Sequence, residues 1–226
     1  MNEALVQIKD VGKTYAAADG QFASVLSGIT CGIEPGARIA LIGPSGSGKS
    51  TLLHIIGGFV PPTEGQVSWP ALGVQEDFLP EKIQAVFQAP SLFPALNVRD
   101  NITLPLLLAG RSAAPGFTPD ALLARFGLSD LALKLPEELS GGQAQRVAML
   151  RALSVSPRLI LADEPTGQLD SKTAQQFLTT VIGVADEIGA AMIIATHDPA
   201  VAARMDQQWS IDHGRLFVDT NKGTAL

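Results

Sequence analysis

The chain has 226 residues, enough for one large domain or two small ones, and its 46% hydrophobic content supplies a real core. Sixteen Lys and Arg against 22 Asp and Glu leave a net charge of −6, which excludes a surface whose main partner is a nucleic-acid backbone. A single cysteine, Cys31, excludes an internal disulfide and, with no Cys or His near it in sequence, a zinc site, so a reducing compartment is expected.

Met1-Asn2-Glu3-Ala4-Leu5 has no basic segment followed by an apolar one, so no secretory leader is expected. No run approaches the roughly 18 consecutive apolar residues of a spanning helix, and the most apolar stretch, residues 102–110, is interrupted by Pro105. Residues 4–9 and 22–33 carry β-type runs, followed by the turn Glu34-Pro35-Gly36-Ala37, so an antiparallel β layer is expected ahead of the core. Tyr15 is the only tyrosine, and near a strand end a lone aromatic either packs or stacks on a ligand. Its local sequence leaves both open.

Arg38-Ile39-Ala40-Leu41-Ile42 suits a buried strand and Leu52-Leu53-His54-Ile55-Ile56 a buried helix. Between them Gly43-Pro44-Ser45-Gly46-Ser47-Gly48-Lys49-Ser50-Thr51 carries the phosphate-loop pattern G-x-x-x-x-G-K-[ST]. A glycine-rich turn lets successive N–H groups face one concavity, and the following helix aims its unpaired donors there. Lys49 suits the β- and γ-phosphates, and the Ser50 hydroxyl suits a phosphate-bound Mg²⁺.

Residues 61–65 form a loop, Gln66-Val67-Ser68-Trp69 a short strand, and Ile83-Gln84-Ala85-Val86-Phe87 another that ends at Gln88. From Ser91 to about Leu139 the chain turns helical, with Thr118-Pro119-Asp120 a cap and first turn. Leu139-Ser140-Gly141-Gly142-Gln143 opens a helix with Ser140 as N-cap and Ala144, Val147, Leu150 and Leu153 on its inner stripe. Two glycines in a first turn cost about 1 kcal/mol each in helix propensity yet leave backbone donors uncovered. Anion contact and an ordinary cap both fit.

Arg158-Leu159-Ile160-Leu161-Ala162-Asp163-Glu164 is a buried parallel-strand run that stops at two acids, where ligands of open α/β sheets sit. Asp163 suits the Walker-B hold on Mg²⁺, and Glu164 suits a base that polarises the attacking water. Ser171 is expected to cap a helix with Phe177, Val181, Val184 and Ile188 inward and Gly189 at its end. A further parallel strand, residues 190–195, leads into Thr196-His197-Asp198-Pro199, which puts His197 at another strand carboxyl end. His54 lies in an apolar helix and His213 in a hairpin turn between residues 208–211 and 215–218; packing and turn roles suffice for both. From Thr220 the chain is expected to fray.

With the phosphate loop, Gln88, Leu139 to Gln143, Leu159 to Glu164 and His197 in this order, the chain resembles the ATP-binding-cassette ATPases over essentially its whole length. The resemblance implies an α/β fold: a P-loop ATPase with a mixed RecA-like core, an antiparallel β subdomain and an α-helical subdomain. It implies one nucleotide-binding domain over residues 1–226, with residues 1–90 and 158–226 as core and about 91–157 as helical insertion. Two cassettes would pair head to tail, each ATP lying between one phosphate loop and the partner's Leu-Ser-Gly-Gly-Gln segment.

Carried over by position, the resemblance makes Tyr15 an adenine-stacking aromatic and Gln88 the residue linking Mg²⁺ and water to a membrane-domain contact. It makes Ser140, Gly141, Gly142 and Gln143 the signature, Glu164 the hydrolytic base and His197 the γ-phosphate switch. Gly167-Gln168-Leu169-Asp170 becomes the loop that crosses the dimer interface, where many relatives carry asparagine at position 168. Within the family the chain is similar to the bacterial lipoprotein-release, macrolide-efflux and cell-division cassettes, with residues 71–82 a poorer match. The implied cofactors are ATP and Mg²⁺, and the implied partners a second cassette and integral membrane permease-type subunits, at the cytoplasmic face of the inner membrane. An ATP-dependent regulatory module of a cell-division-type complex and a non-transport cytosolic ATPase are the alternatives.

Overall fold

A computed structural model describes residues 3–16, 22–73 and 78–219. In chain order they form β1 (Val6–Ala16), β2 (Phe22–Ile33), β3 (Arg38–Ile42), α1 (Lys49–Ile56), β4 (Glu64–Ser68), β5 (Ile83–Val86), α2 (Val98–Leu108), α3 (Pro119–Arg125) and α4 (Gly141–Leu153). These are followed by β6 (Leu159–Asp163), α5 (Ser171–Ile188), β7 (Ala191–Ala195), α6 (Pro199–Ala202), β8 (Gln207–Asp212) and β9 (Arg215–Asp219). The chain divides into two compact units, residues 1–75 with 191–226, and residues 76–190. No helix among the described residues is long and apolar enough to cross a membrane. The C-terminal residues from Thr220, expected to fray, lie outside the described ones.

The first unit holds two layers of strands. β1 pairs antiparallel with β2 and with β4, in the order β2-β1-β4, as the expected antiparallel layer requires. β1 runs past residue 9 to Ala16, further than its sequence pattern indicates, because a bulge carries the chain on. Asp10 takes φ 53°, its N–H donates to Thr30 Oγ1 at 3.0 Å, and the pairing resumes at Val11↔Ile29. Tyr15 therefore stands within the strand, opposite Ala23. The other strands are parallel, β3 lying between β7 and β8, and β9 returns antiparallel on β8. Ile39, Ala40 and Leu41 of β3 are fully buried, as are Ile193 and Ile194 of β7, so the two-sided burial of a parallel strand explains these uninterrupted apolar runs. His213 (φ 45°) and Gly214 (φ 74°) make the β8–β9 turn, two left-handed residues whose twist suits a two-residue hairpin.

The second unit pairs β5 with β6 in parallel, Ile83↔Leu159 through Val86↔Ala162, and packs helices around them. β6 is buried at every position. Val147, Leu150 and Leu153 of α4 are buried and Ala144 half-buried; on α5, Phe177, Val181 and Val184 are buried while Ile188 is only half-buried. Phe177 meets Phe126 edge to face at 5.7 Å. Arg125 and Glu187 form a two-pronged ion pair between α3 and α5, one arm at 2.7 Å, which holds the exposed Glu187 carboxyl below its ordinary range. Thr118 caps α3 by accepting from Ala121 N–H at 3.2 Å, with Pro119 in the first turn. For α5 the cap is Asp170, whose carboxylate accepts from Thr173 N–H at 3.0 Å, and Ser171 is the first helical residue. The Asp170 carboxylate covers the first turn from one residue earlier, so Ser171 enters the helix instead of capping it. Gly189 ends α5 in the left-handed conformation at φ 67°.

α2 carries Pro105 inside it and depends on Asn101, which is fully buried. Asn101 Oδ1 accepts from Phe93 N–H at 2.8 Å, and its Nδ2 donates to the carbonyls of Leu96 at 2.8 Å and of Phe93 and Asn97 at 3.1 Å. One amide thus organises the loop before the helix. Replacing it by alanine strands these groups; we expect Asn101→Ala to cost about 2–3 kcal/mol and to lower the melting temperature by roughly 5–10 °C in calorimetry.

Candidate functional site

In the first unit β3 delivers the chain to the phosphate loop and α1 takes it away. Gly48, the N-cap of α1, is left-handed at φ 106°, and no side chain caps the helix. Its first-turn donors open toward the loop, a ready anion site. Gly43 stands at φ 154°, and a Cβ there would meet the Ile211 carbonyl oxygen at 2.5 Å and Ser47 Oγ at 2.8 Å. The loop backbone is therefore wedged against β8, where only glycine fits. Lys49 is 9% exposed, and its ammonium donates to the Gly43 carbonyl at 2.8 Å and the Pro44 carbonyl at 3.0 Å. A positive charge is thus held over the loop's own concavity. Ser47 Oγ is buried without a hydrogen-bond partner, so a polar atom inside the cradle awaits one. Ser45, Gly46 and Ser50 are exposed, while Pro44 is exposed and Thr51 half-buried.

Two further predicted residues lie in this unit. Tyr15 is 41% exposed, with Lys13 Nζ 5.0 Å from its ring centroid, a cation–π contact that fixes the ring at the surface. His197 is exposed just after β7. Its turn is anchored on both sides: Thr196 N–H donates to the Leu41 carbonyl at 3.0 Å, on the strand that feeds the loop, and Asp198 caps α6 by accepting from Ala200 N–H at 2.8 Å.

In the second unit the parallel pairing of β5 and β6 brings Gln88, Asp163 and Glu164 to the same ends of the two strands. Gln88 is exposed in the bend after β5, and Asp163 is 9% exposed as the last residue of β6. Glu164 takes φ 49°, a left-handed backbone that costs a non-glycine residue on the order of 1–3 kcal/mol. The turn behind it is closed by Gly167 N–H on the Glu164 carbonyl at 3.1 Å and Leu169 N–H on the Thr166 carbonyl at 3.0 Å. Those bonds hold the strained carboxylate at the strand end.

Ser140 caps α4 in a reciprocal box: its Oγ accepts from Gln143 N–H at 3.2 Å, and Gln143 Oε1 accepts from Ser140 N–H at 2.9 Å. The glycines also have a steric reason. A Cβ on Gly141 would collide with Gln168 Oε1, and one on Gly142 would meet Leu169 Cδ2 at 2.8 Å and the Gln168 carbonyl at 2.9 Å. A cleft of about 410 Å³ lies here, lined by the signature residues together with Arg146, Gln168 and Asp170. Hydrogen bonds from Thr173, side chain and backbone, hold the Asp170 carboxyl below its ordinary range.

Sequence reasoning missed two residues that steady Gln88 from α4. Gln145, 1% exposed, donates from Nε2 to the Phe87 carbonyl at 3.4 Å, and Arg151 donates to the Ser91 carbonyl at 2.6 Å and to Ser91 Oγ at 3.2 Å. Burial lowers the Arg151 pKa from its ordinary value. No spacing marks either; each looks like the polar face of a helix.

Residues 26–167 match the family model described as ABC transporter. The chain belongs to that family. It is an ABC-type ATP-binding subunit and an ATPase, with the family's antiparallel β subdomain and mixed main sheet. An uncharacterised ABC transporter ATP-binding protein of Mycobacterium tuberculosis is 39% identical over 97% of this chain and 92% of its own. The lipoprotein-releasing system ATP-binding protein LolD of Shewanella oneidensis is 37% identical over 96% of this chain and 98% of its own. Among solved structures, the ATP-binding cassette MJ0796, in a dimeric post-hydrolysis state bound to ADP and Pi, superposes with a TM-score of 0.86 at 35% identity, covering 96% of this chain and 99% of that one.

The wedge at Gly43 makes a direct test of the phosphate loop. Gly43→Ala sets a methyl group against the Ile211 carbonyl in a backbone conformation alanine rarely adopts. We expect it to weaken binding of a fluorescent ATP analogue by about tenfold or more in equilibrium titration.

Proposed function

We propose that this cassette binds ATP with Mg²⁺, pairs head to tail with a second copy, and uses hydrolysis of the γ-phosphate to drive a conformational cycle in an integral membrane partner. The observation that carries the reading is Glu164, held in a left-handed backbone directly after the buried strand-end acid Asp163. Strain at such a position is retained where chemistry uses it.

Each role follows from the group's chemistry. The phosphate loop from Gly43 to Thr51 cradles the β- and γ-phosphates with backbone N–H groups, and Lys49 adds a point charge. The Ser50 hydroxyl, the Gln88 amide and the Asp163 carboxylate are the hard oxygen donors that would hold Mg²⁺ together with phosphate oxygens. When bound, that ion neutralises charge on the transferring phosphoryl group. Glu164 takes up proton density from the attacking water, and His197 steadies the γ-phosphate. Tyr15 stacks on the adenine. Ser140, Gly141, Gly142 and Gln143 reach the nucleotide of the other copy, beside Asp170. Residues 1–226 act as one nucleotide-binding domain, with about 91–157 as its helical insertion.

The membrane partner is a permease-type subunit, and the cassette works at the cytoplasmic face of the inner membrane as a peripheral subunit. The likeness to LolD supports lipoprotein release or a related mechanical task over solute transport. Phe93, 51% exposed, and Leu96 lie on the loop that Asn101 organises and form the docking surface with the start of α2.

Glu164→Gln keeps the shape of the side chain and removes its basicity. We expect ATP binding within about twofold of the wild type, turnover reduced by two to four orders of magnitude, and an ATP-dependent dimer in light scattering. Rapid residual turnover would remove Glu164 from the role. Phe93→Ala with Leu96→Ala should leave the ATPase activity of the isolated cassette unchanged and abolish co-purification of the membrane subunit from solubilised membranes; intact co-purification would move the docking surface elsewhere.

A further inference from the structure

The contact between Gln168 and the signature turn lies within one unit of one chain. Gln168 is exposed at the tip of the turn closed by Gly167 N–H on Glu164 and Leu169 N–H on Thr166. Its side chain nevertheless folds onto α4, with Oε1 against the place a Gly141 side chain would occupy and Cδ 3.0 Å from that position. Its backbone carbonyl and Leu169 press on Gly142 in the same way. The cleft over this helix start is therefore shared between the signature residues and a carboxamide from their own chain.

That placement has chemical content. Gly141 and Gly142 are the first residues of α4, so their N–H groups have no carbonyl ahead of them in the helix. Ser140 Oγ and Gln143 Oε1 already accept from each other's backbone N–H through the capping box. Arg146 adds positive charge to the same cleft, opposed by the carboxylate of Asp170, which is committed to the cap of α5. Into this donor-rich corner Gln168 brings an acceptor oxygen on a flexible arm. An asparagine at 168 is one methylene shorter and would sit further from the first turn.

We propose that Gln168 is a positioning residue that holds the signature turn within its own chain and swings off Gly141 before the nucleotide phosphates of a second copy enter the cleft. The length and charge of this one side chain then set the ATP concentration at which two copies close. The inference rests on the head-to-tail pairing proposed above.

The test uses the full-length chain carrying Glu164→Gln, in which the closed dimer accumulates, titrated with ATP and Mg²⁺ and followed by light scattering. Adding Gln168→Asn removes the competing contact and should lower the ATP concentration for half-maximal dimer by roughly two- to tenfold. Adding Gln168→Glu places an anion at the helix start and should raise it by a similar factor. Binding of a fluorescent ATP analogue to single copies, at protein concentrations too low for pairing, should not change in either variant, nor should the melting temperature. Equal half-points for all three proteins, or a higher half-point with asparagine, would overturn the proposal. So would a shift in single-copy binding, which would mean that Gln168 acts through its own phosphate loop or through the fold. If Glu164→Gln alone forms no dimer with ATP, the pairing itself fails and this inference with it. A dimer that forms but ignores position 168 removes only the inference.

Discussion

A helix start leaves several backbone N–H groups without partners, and how each start meets that demand divides this molecule into scaffold and site. Among the described α-helices, α2, α3, α4, α5 and α6 each begin on a side-chain cap, from Asn97, Thr118, Ser140, Asp170 and Asp198 respectively. The exception is α1, which begins on left-handed Gly48 with no side-chain cap at all. Lys49 is folded over the loop there, and a buried hydroxyl on Ser47 lies beside it. The strands serve that exception. β3 is buried between β7 and β8 so that the loop leaves a rigid edge, and the wedge of Gly43 against Ile211 fixes the loop's height above it.

The second unit meets a related demand by a different route. Its strand-end carboxylates are placed by the parallel pairing of two short strands, then held by a turn whose backbone bonds impose a strained conformation on Glu164. α4 does two things at once: its start is capped and packed against residues 168 and 169, while Gln145 and Arg151 further along it grip the segment from Phe87 to Ser91. The segment around Gln88 and the signature turn are thus borne by one rigid rod. Displacement of either end is felt at the other through packed contacts rather than through a flexible linker.

What the sequence makes legible follows from how local the signal is. The phosphate loop, the Ser140 cap, the Gly189 stop and the β8–β9 turn are written in short-range patterns, and each is where those patterns put it; the inner stripes of α4 and α5 are too, except that Ala144 and Ile188 at their ends are only half-buried. The end of β1 was less legible because a bulge depends on the partner strand: Thr30 and the approach of Gly65 to Asp10 let the chain continue. The α5 cap shifts by one residue because Asp170 and Ser171 are both good caps, and only the backbone chooses between them. Asn101, Gln145 and Arg151 are invisible for a stronger reason. Each is a polar residue on a helix whose partners are carbonyls of another segment, a pairing that no periodicity encodes.

The loop held by Asn101 has a thermodynamic side. Because one buried amide fixes the carbonyls of Phe93, Leu96 and Asn97 and the amide of Phe93, this backbone is ordered before anything touches it. A protein that docks there pays for immobilising side chains such as Phe93 but not for ordering the main chain, a saving of about 1–2 kcal/mol per residue already fixed. For the docking proposed above, such a surface could be small and still bind firmly, passing on a push without first absorbing it as disorder.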